Sequence, residues 1–210
     1  MAVTATGSLS RLRPLHGWTA LLIGCLIAAG SWQTGQAVWI YAKAGLAQHL
    51  LQRAWARSLA GKEAVRPWPW ADTWPVARLT IPSQHRDLIV LHGAYGRTLA
   101  FGPGYVESSA FPGSPGPTIL TGHRDTHFAF LKRLQPGEPL TIQTIDGQSR
   151  SYRVTERRIA DSRTDRIALA TNRPALVLVT CYPFDTPMPG GPLRWIVVAE
   201  EEQAARQQEG

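Results

Sequence analysis

Short apolar, β-branched runs separated by glycine and proline fill the chain from Trp74 onward, and this texture constrains the fold more than any other feature. Runs of roughly four to eight such residues between turn signals are typical of β-strands. Asp146-Gly147 is typical of a hairpin turn. Many short strands with regular turns favour a closed barrel or a sandwich, so we predict a mainly β domain. The predicted strands are Val76 to Ile81, Asp87 to Leu91, Thr118 to Thr121, Leu140 to Ile145, Ser151 to Ala160, Leu176 to Thr180 and Leu193 to Ala199.

Helices play a minor part in this domain. The 16 prolines and 19 glycines among 210 residues favour a loop-rich β domain over a helical bundle. One short helix is predicted over residues 126–134, because Phe128, Leu131 and Leu134 would lie on one side of it. Asp125 is predicted to cap the start of this helix.

The N-terminal part of the chain carries a long uncharged stretch. Residues 17–40 contain no charged side chain, and a membrane span needs about 20 mostly apolar residues. A cleaved signal peptide and a retained anchor both fit, and the lack of an obvious cleavage site favours the anchor. The charge rule does not decide the orientation, because basic residues flank the stretch on both sides.

The remaining segments complete a predicted division into five parts. Leu51, Trp55 and Leu59 recur at helical spacing, which predicts a helical stalk that continues from the span to Gly61. Alternating prolines exclude a helix in Arg66-Pro-Trp-Pro-Trp70, which is interpreted as a linker. The predicted parts are an N-terminal segment (1–16), a transmembrane anchor (17–40), a stalk and linker (41–73), a β domain (74–200) and a polar tail (201–210).

Three chemically active residues stand at the ends of predicted strands. Cys181 closes the run Ala175 to Cys181, and the other cysteine, Cys25, lies in the apolar stretch. His123 follows the strand that ends at Thr121, and Arg194 stands near the start of the last strand. A thiol, an imidazole and a guanidinium are the components of a cysteine transpeptidase or peptidase.

The sequences around these residues resemble the sortase family over residues 74–200. The matching stretches are Thr-Gly-His-Arg-Asp-Thr-His-Phe (121–128), Leu-Val-Thr-Cys (178–181) and Leu-Arg-Trp (193–195). The first is most similar to class D sortases, and the small size with an N-terminal anchor is similar to sortases of Gram-negative bacteria. Val177 stands where the family pattern before the cysteine often has Thr.

The resemblance implies an eight-stranded sortase-like β-barrel with one or two short helices, preceded by a transmembrane helix and a helical stalk. It implies a thiol protease that works as a transpeptidase. Cys181 would attack a peptide carbonyl, His123 would protonate the leaving amine, and Arg194 would stabilise the oxyanion or bind the substrate backbone. Thr180 is implied as a substrate-binding residue. The implied substrate is a surface protein with a C-terminal sorting signal similar to Leu-Pro-x-Thr-Gly, which is transferred to an unidentified amine.

Location and partners follow from the same resemblance. It implies single-pass insertion in the inner (cytoplasmic) membrane, with the catalytic domain on the extracytoplasmic or periplasmic side. Neither a cofactor nor a metal is implied. The net charge of +7 is scattered, which disfavours nucleic acid as a partner and suits a protein beside anionic lipid.

Other interpretations of the same residues stay open at this point. His123, Asp125 and His127 are metal-ligand types at close spacing, with His85 and His92 upstream, so a metal-dependent hydrolase is one alternative. A membrane-tethered binding module without catalysis is another. 

Individual residues also have structural interpretations. Cys181 could be a buried core thiol, Arg194 could belong to a surface ion pair, and His127 is interpreted as structural. Papain-like peptidases usually place Cys before His, and L,D-transpeptidases place His and Arg close to Cys, so both families fit this order less well.

Overall fold

The computed structural model describes residues 15–61, 63–167, 173–186, 188 and 190–202. Nearly all of the predicted N-terminal segment (1–16) and most of the polar tail (201–210) lie outside these residues. The chain divides into two compact units, residues 1–45 and 46–210.

Helix α1 runs over Leu15–Gly61 and begins in the first unit. From Gly17 it is long and apolar enough to cross a membrane, judged by length and composition. Its large apolar side chains in the first unit are exposed, among them Trp18, Trp32 and Trp39. This unit therefore matches the prediction of a helical, apolar candidate span.

In the second unit, the last turns of α1 pack on the barrel. Leu51 and Trp55 are buried against Ile89 and Leu91, and the Gln48 amide donates a hydrogen bond of 2.7 Å to the carbonyl of Phe101. The predicted apolar stripe of the stalk thus contacts the domain itself. No helix forms in the described part of the following linker, as its prolines predict.

Eight strands close into a barrel in the order β1-β2-β3-β4-β7-β8-β6-β5. Strand β4 runs parallel to β7, and β7 runs antiparallel to β8. The strands are β1 (Pro75–Ile81), β2 (Arg86–His92), β3 (Gly104–Tyr105), β4 (Pro117–Thr121), β5 (Pro139–Thr144), β6 (Ser149–Asp161), β7 (Ala175–Cys181) and β8 (Leu193–Glu201).

The seven predicted strands are all present, and the hairpin at Asp146-Gly147 joins β5 to β6. Strand β3 was not predicted, because it has only two residues and follows Gly102-Pro103. Gly104 must be glycine there, since a Cβ would lie 2.3 Å from the carbonyl oxygen of Gly93. Strand β8 extends to Glu201, two residues beyond its predicted end at Ala199.

Alternate residues of the strands form two apolar layers, as the period of a strand requires. Leu120, Leu178 and Val197 belong to the cluster that fills the barrel interior. On the opposite face, Val177 and Ile196 belong to a smaller cluster, which lies outside the barrel. Residues on the inner face of the sheet therefore pack in the barrel core, and residues on the outer face lie in the smaller cluster or at the surface.

The predicted helix over 126–134 is wrong. Only a 3₁₀ turn, Ala129–Lys132, forms there; its N-terminal cap position is Phe128, and no side chain caps it, so Asp125 does not have the predicted role. The backbone bonds of this stretch span three residues: the amides of Leu131 and Arg133 donate to the carbonyls of Phe128 (3.1 Å) and Phe130 (2.9 Å), which is the 3₁₀ pattern. In this form the stretch buries Phe128, Phe130, Leu131 and Leu134 in the barrel core. The other short helical segments of the described chain are α2 (Gly96–Leu99) and a 3₁₀ turn, Pro82–Gln84.

Candidate active site

The ends of three neighbouring strands bring the predicted site residues to one rim of the barrel. In the parallel pair β4–β7, Thr121 is the partner of Val179. In the antiparallel pair β7–β8, Cys181 is the partner of Arg194. The thiol, the guanidinium and the segment that begins with His123 therefore meet where β4 and β7 end and β8 begins.

Cys181 is the last residue of β7, and it is partly exposed. It alternates with Val177 and Val179, which pack in or against the outer cluster, so its side chain belongs to the outer face of the sheet. Cys181 is therefore a partly exposed residue of the outer face, in contrast to the buried core thiol that the sequence left open.

Arg194 lies directly opposite Cys181, and side chains of such partners share one face of the sheet. Its Nη1 donates hydrogen bonds to the carbonyl oxygens of Gly191 (2.7 Å) and Leu193 (2.9 Å). Within the described part of the chain no carboxylate forms an ion pair with Arg194. The guanidinium is therefore held by backbone carbonyls beside the thiol.

His123 is exposed and stands two residues after the end of β4. Strand β7 holds the residue before it: the amide of Gly122 donates to the carbonyl of Val179 (3.3 Å), and the Thr180 hydroxyl donates to the carbonyl of Gly122 (2.7 Å). The carbonyl of His123 accepts a hydrogen bond of 3.0 Å from the amide of Phe128. Backbone bonds on both sides thus fix the segment that carries the imidazole.

Gly122 and Thr180 explain parts of the two motifs that flank the site. The ring of Phe128 lies so close to Gly122 that a Cβ there would be 2.9 Å from the ring, so only glycine fits. Thr180 is 2% exposed, and its hydroxyl is turned into the protein towards Gly122. This placement makes Thr180 a link between the Cys181 strand and the His123 segment, and it gives no support to the predicted direct contact with substrate.

Arg124 is a site residue that the sequence did not single out. Its guanidinium donates hydrogen bonds of 2.9, 3.0 and 2.9 Å to the carbonyl oxygens of Pro183, Thr186 and Met188. These acceptors lie in the loop that follows Cys181. Arg124 therefore ties the loop after β4 to the loop after β7. The position of Arg124 next to His123 was the one sequence signal for a role at the site. Its partners are backbone carbonyls, which sequence patterns do not reveal.

Aromatic rings stiffen the same rim. The rings of Tyr182 and Trp195, which directly follow Cys181 and Arg194, are stacked with centroids 5.9 Å apart, and Phe184 packs edge-on against Trp195 at 5.9 Å. Tyr182 and Trp195 thus contact each other on the face of the sheet opposite the one that carries Cys181 and Arg194. They add to the main-chain pairing of β7 with β8.

His127 and Asp125 have no metal-binding arrangement. The His127 imidazole is partly buried, and this burial is the main reason that its pKa is lowered, against the effect of a hydrogen bond to the backbone of Ala100. Asp125 is exposed. In the described ranges no group of three His, Cys, Asp or Glu side chains is placed to hold a metal ion, so the metal-dependent hydrolase gains no support from geometry.

A groove of about 460 Å³ extends from Arg194 along the outer face of the sheet. Its floor is apolar and its rim is polar and mostly cationic. The floor residues are Ala160, Ile167, Val179 and Ile196, and the rim residues are Arg158, Ser162, Asp165, Arg166 and Arg194. Such a surface suits an extended peptide with apolar side chains, and Arg194, which lines the groove, is the strand partner of Cys181.

The family model of the Sortase domain matches residues 79–202, which include all of these site residues. The chain belongs to the sortase family. Sortase D of Bacillus subtilis (strain 168) is 32% identical over 120 residues, which are 57% of this chain and 60% of that relative. This sortase chain thus spans less than two thirds of the length of that relative.

Solved sortase structures share the fold. Sortase C-1 from Actinomyces oris is 30% identical, with a TM-score of 0.54 over 62% of this chain and 76% of that one. A Clostridium perfringens sortase D5 transpeptidase has a TM-score of 0.60 over 76% of this chain and 99% of that one, at 20% identity. The predicted sortase-like eight-stranded barrel is confirmed, while the roles of Cys181, His123 and Arg194 stay predictions.

Proposed function

We propose that this chain is a membrane-anchored sortase that cleaves a Leu-Pro-x-Thr-Gly-like sorting signal of a surface protein and transfers the protein to an amine. The observation that carries the proposal is the pairing of an accessible Cys181 with Arg194, at the end of an apolar groove and beside the His123 segment. Family membership supports the same reaction class, since sortases are cysteine transpeptidases.

In the first half of the proposed reaction, the Cys181 thiolate attacks the carbonyl carbon of the scissile peptide bond. Charge develops on the carbonyl oxygen, and the Arg194 guanidinium beside the sulfur donates hydrogen bonds to it. The C–N bond breaks as His123, protonated at this stage, gives its proton to the leaving amine. The products are a thioester on Cys181, neutral His123 and a free amino terminus.

In the second half, an amine attacks the thioester carbon and His123 accepts its proton. The C–S bond breaks, the thiolate is restored, and a new amide forms. Water in place of the amine gives hydrolysis. Thr180 and Arg124 act in this scheme as positioning residues, because they hold the loops around His123 and Cys181 without facing the groove.

The apolar part of α1 supports anchoring in the membrane, and the reaction requires the barrel to lie on the extracytoplasmic side, where surface proteins are. We propose insertion in the inner (cytoplasmic) membrane with the N-terminus inside. A tag at either end, probed by protease before and after the cells are lysed, tests this orientation. Once the protease can reach the outer face of the inner membrane in unlysed cells, it should remove the C-terminal tag and spare the N-terminal one. Protection of the C-terminal tag under that condition would contradict the proposed orientation.

Intact-mass spectrometry tests the reaction. The full chain in detergent is the right sample, because α1 packs on the barrel through Leu51 and Trp55. Incubated with a Leu-Pro-x-Thr-Gly peptide, it should gain the mass of the acyl fragment on Cys181 and release the C-terminal fragment. Cys25→Ala should behave like the native chain and Cys181→Ala should be inactive. Cleavage that survives Cys181→Ala would refute the proposal, and peptide binding without cleavage by the native chain would favour a binding module.

A further inference from the structure

The outer groove carries more positive charge than an apolar peptide requires. Among the residues that the structure describes, three arginines line it, Arg158, Arg166 and Arg194, and one carboxylate does, that of Asp165. Arg194 has a place in the proposed reaction, whereas Arg158 and Arg166 lie along the groove and have none. Their side chains therefore contribute positive charge to the groove that is available to a ligand bound there.

Asp165 offsets only one of the three positive charges. Its carboxylate accepts a hydrogen bond of 2.8 Å from the backbone amide of Asp161 and one of 3.2 Å from the hydroxyl of Thr164. The neighbouring carboxylate of Asp161 pairs with Arg163, a residue outside the groove. Both carboxylates thus serve to close the turn after β6.

Arg166 is left without a partner among the described residues. It is exposed on the groove rim, and no hydrogen bond or ion pair with the described part of the chain engages it. Arg158 differs, because its Nε contacts a carboxylate oxygen of Glu156 on the same strand at 3.2 Å. Arg166 is therefore the guanidinium most available to a ligand, and Arg158 adds positive potential nearby.

We infer that Arg166, assisted by Arg158, selects substrates that carry a carboxylate side chain in the segment preceding the scissile bond. The inference rests on the proposed function, because it places the acyl part of the signal along the groove that leads to Cys181. A guanidinium pairs with a carboxylate through parallel N–H···O bonds, which give direction as well as charge. Arg166 is thus a specificity-determining residue with no part in bond making or breaking.

Peptide pairs that differ only in Glu against Gln test this inference. One pair has the change at position x of Leu-Pro-x-Thr-Gly, and a second has it at the residue before Leu. With the full chain in detergent we expect kcat/KM to be about fivefold higher for Glu in at least one pair, as for an exposed ion pair worth about 1 kcal/mol. The advantage should shrink as salt is raised, since exposed charges are screened.

Variants assign the effect to the residue. Arg166→Gln should bring the Glu-to-Gln ratio close to one, Arg166→Lys should retain part of it, and Arg166→Glu should favour a Lys peptide instead. Arg97→Gln is the matched control, because Arg97 is an exposed arginine of α2 outside the groove and its loss changes net charge equally. This control should keep the native ratio.

The outcomes separate the two proposals. Equal acylation of Cys181 by Glu and Gln peptides in both pairs, or a preference that persists in Arg166→Gln, would overturn the inference and leave the sortase reaction intact. Absence of acylation with every peptide would overturn the proposed function together with the inference.

Discussion

The two sides of the candidate site are built differently. Cys181 and Arg194 stand on adjacent antiparallel strands, so main-chain pairing between β7 and β8 sets their relative position. His123 lies beyond the end of β4, in a segment held by the Thr180 hydroxyl and, through its neighbour, by the Arg124 guanidinium. Backbone pairing tolerates changes of side chain, while the His123 side depends on a few particular side chains.

The comparison predicts that substitutions around His123 disturb the site more than equally conservative ones along β7 and β8.

Gly122→Ala should have the largest effect. The new Cβ would lie 2.9 Å from the ring of Phe128, which is fully buried in the barrel, so the ring or the His123 segment must move. Overpacking of this kind costs about 1–3 kcal/mol, and the displacement should reduce kcat/KM strongly. Chemical denaturation and peptide cleavage measure both. Gly96→Ala, on a helix with open space around it, is the control and should leave both unchanged.

Thr180→Val removes the hydroxyl at nearly constant volume. The carbonyl of Gly122 then loses a buried hydrogen bond, so we expect a loss of about 1–2 kcal/mol in the free energy of unfolding and slower acylation of Cys181. Thr98→Val is a matched control, because the Thr98 hydroxyl is buried without a partner in the described residues. The control should be neutral or stabilising; equal losses in both variants would show that the Thr180 bond has no special part.

Arg124→Gln should loosen the loop after Cys181. Three hydrogen bonds to loop carbonyls are lost, while the barrel keeps its core, so the melting temperature should change little. We expect faster proteolysis within residues 183–190 and a severalfold lower kcat. Arg133→Gln, at the far end of the same segment, is the control. Unchanged proteolysis in Arg124→Gln would show that Arg124 does not hold the loop after Cys181 in place.

His127 should give the smallest effect, a dependence of stability on pH. The pKa of His127 is lowered below the ordinary value of 6.5, mainly by burial. Below pH 6.5 the imidazole therefore binds a proton more readily in the unfolded chain than in the folded chain. The contribution to stability is therefore complete above about pH 6.5 and is lost as pH falls through the lowered pKa. Thermal melts of the native chain and of His127→Gln between pH 5 and 8 check this; parallel curves would refute it.

The same contrast explains what could be predicted from the sequence. Strands β7 and β8 carry apolar runs rich in β-branched residues, so their ends, and with them Cys181 and Arg194, could be placed. Helical spacing of Phe128, Leu131 and Leu134 predicted a helix over 126–134, but the segment packs into the barrel core as a 3₁₀ turn, and local spacing does not reveal those long-range contacts. The bonds of Thr180 and Arg124 join residues 58 to 64 positions apart, and local patterns carry no information on such contacts.

The most direct test of the account is the structure of the full chain with a substrate analogue linked to Cys181, in which a thiol replaces the scissile carbonyl and forms a disulfide with the sulfur. We predict that the peptide lies in the groove over Val179 and Ile196, with Arg194 and His123 both facing the linkage. A peptide that leaves the groove empty, or an imidazole and guanidinium directed away from the linked sulfur, would contradict the assignment of these three residues to one reaction.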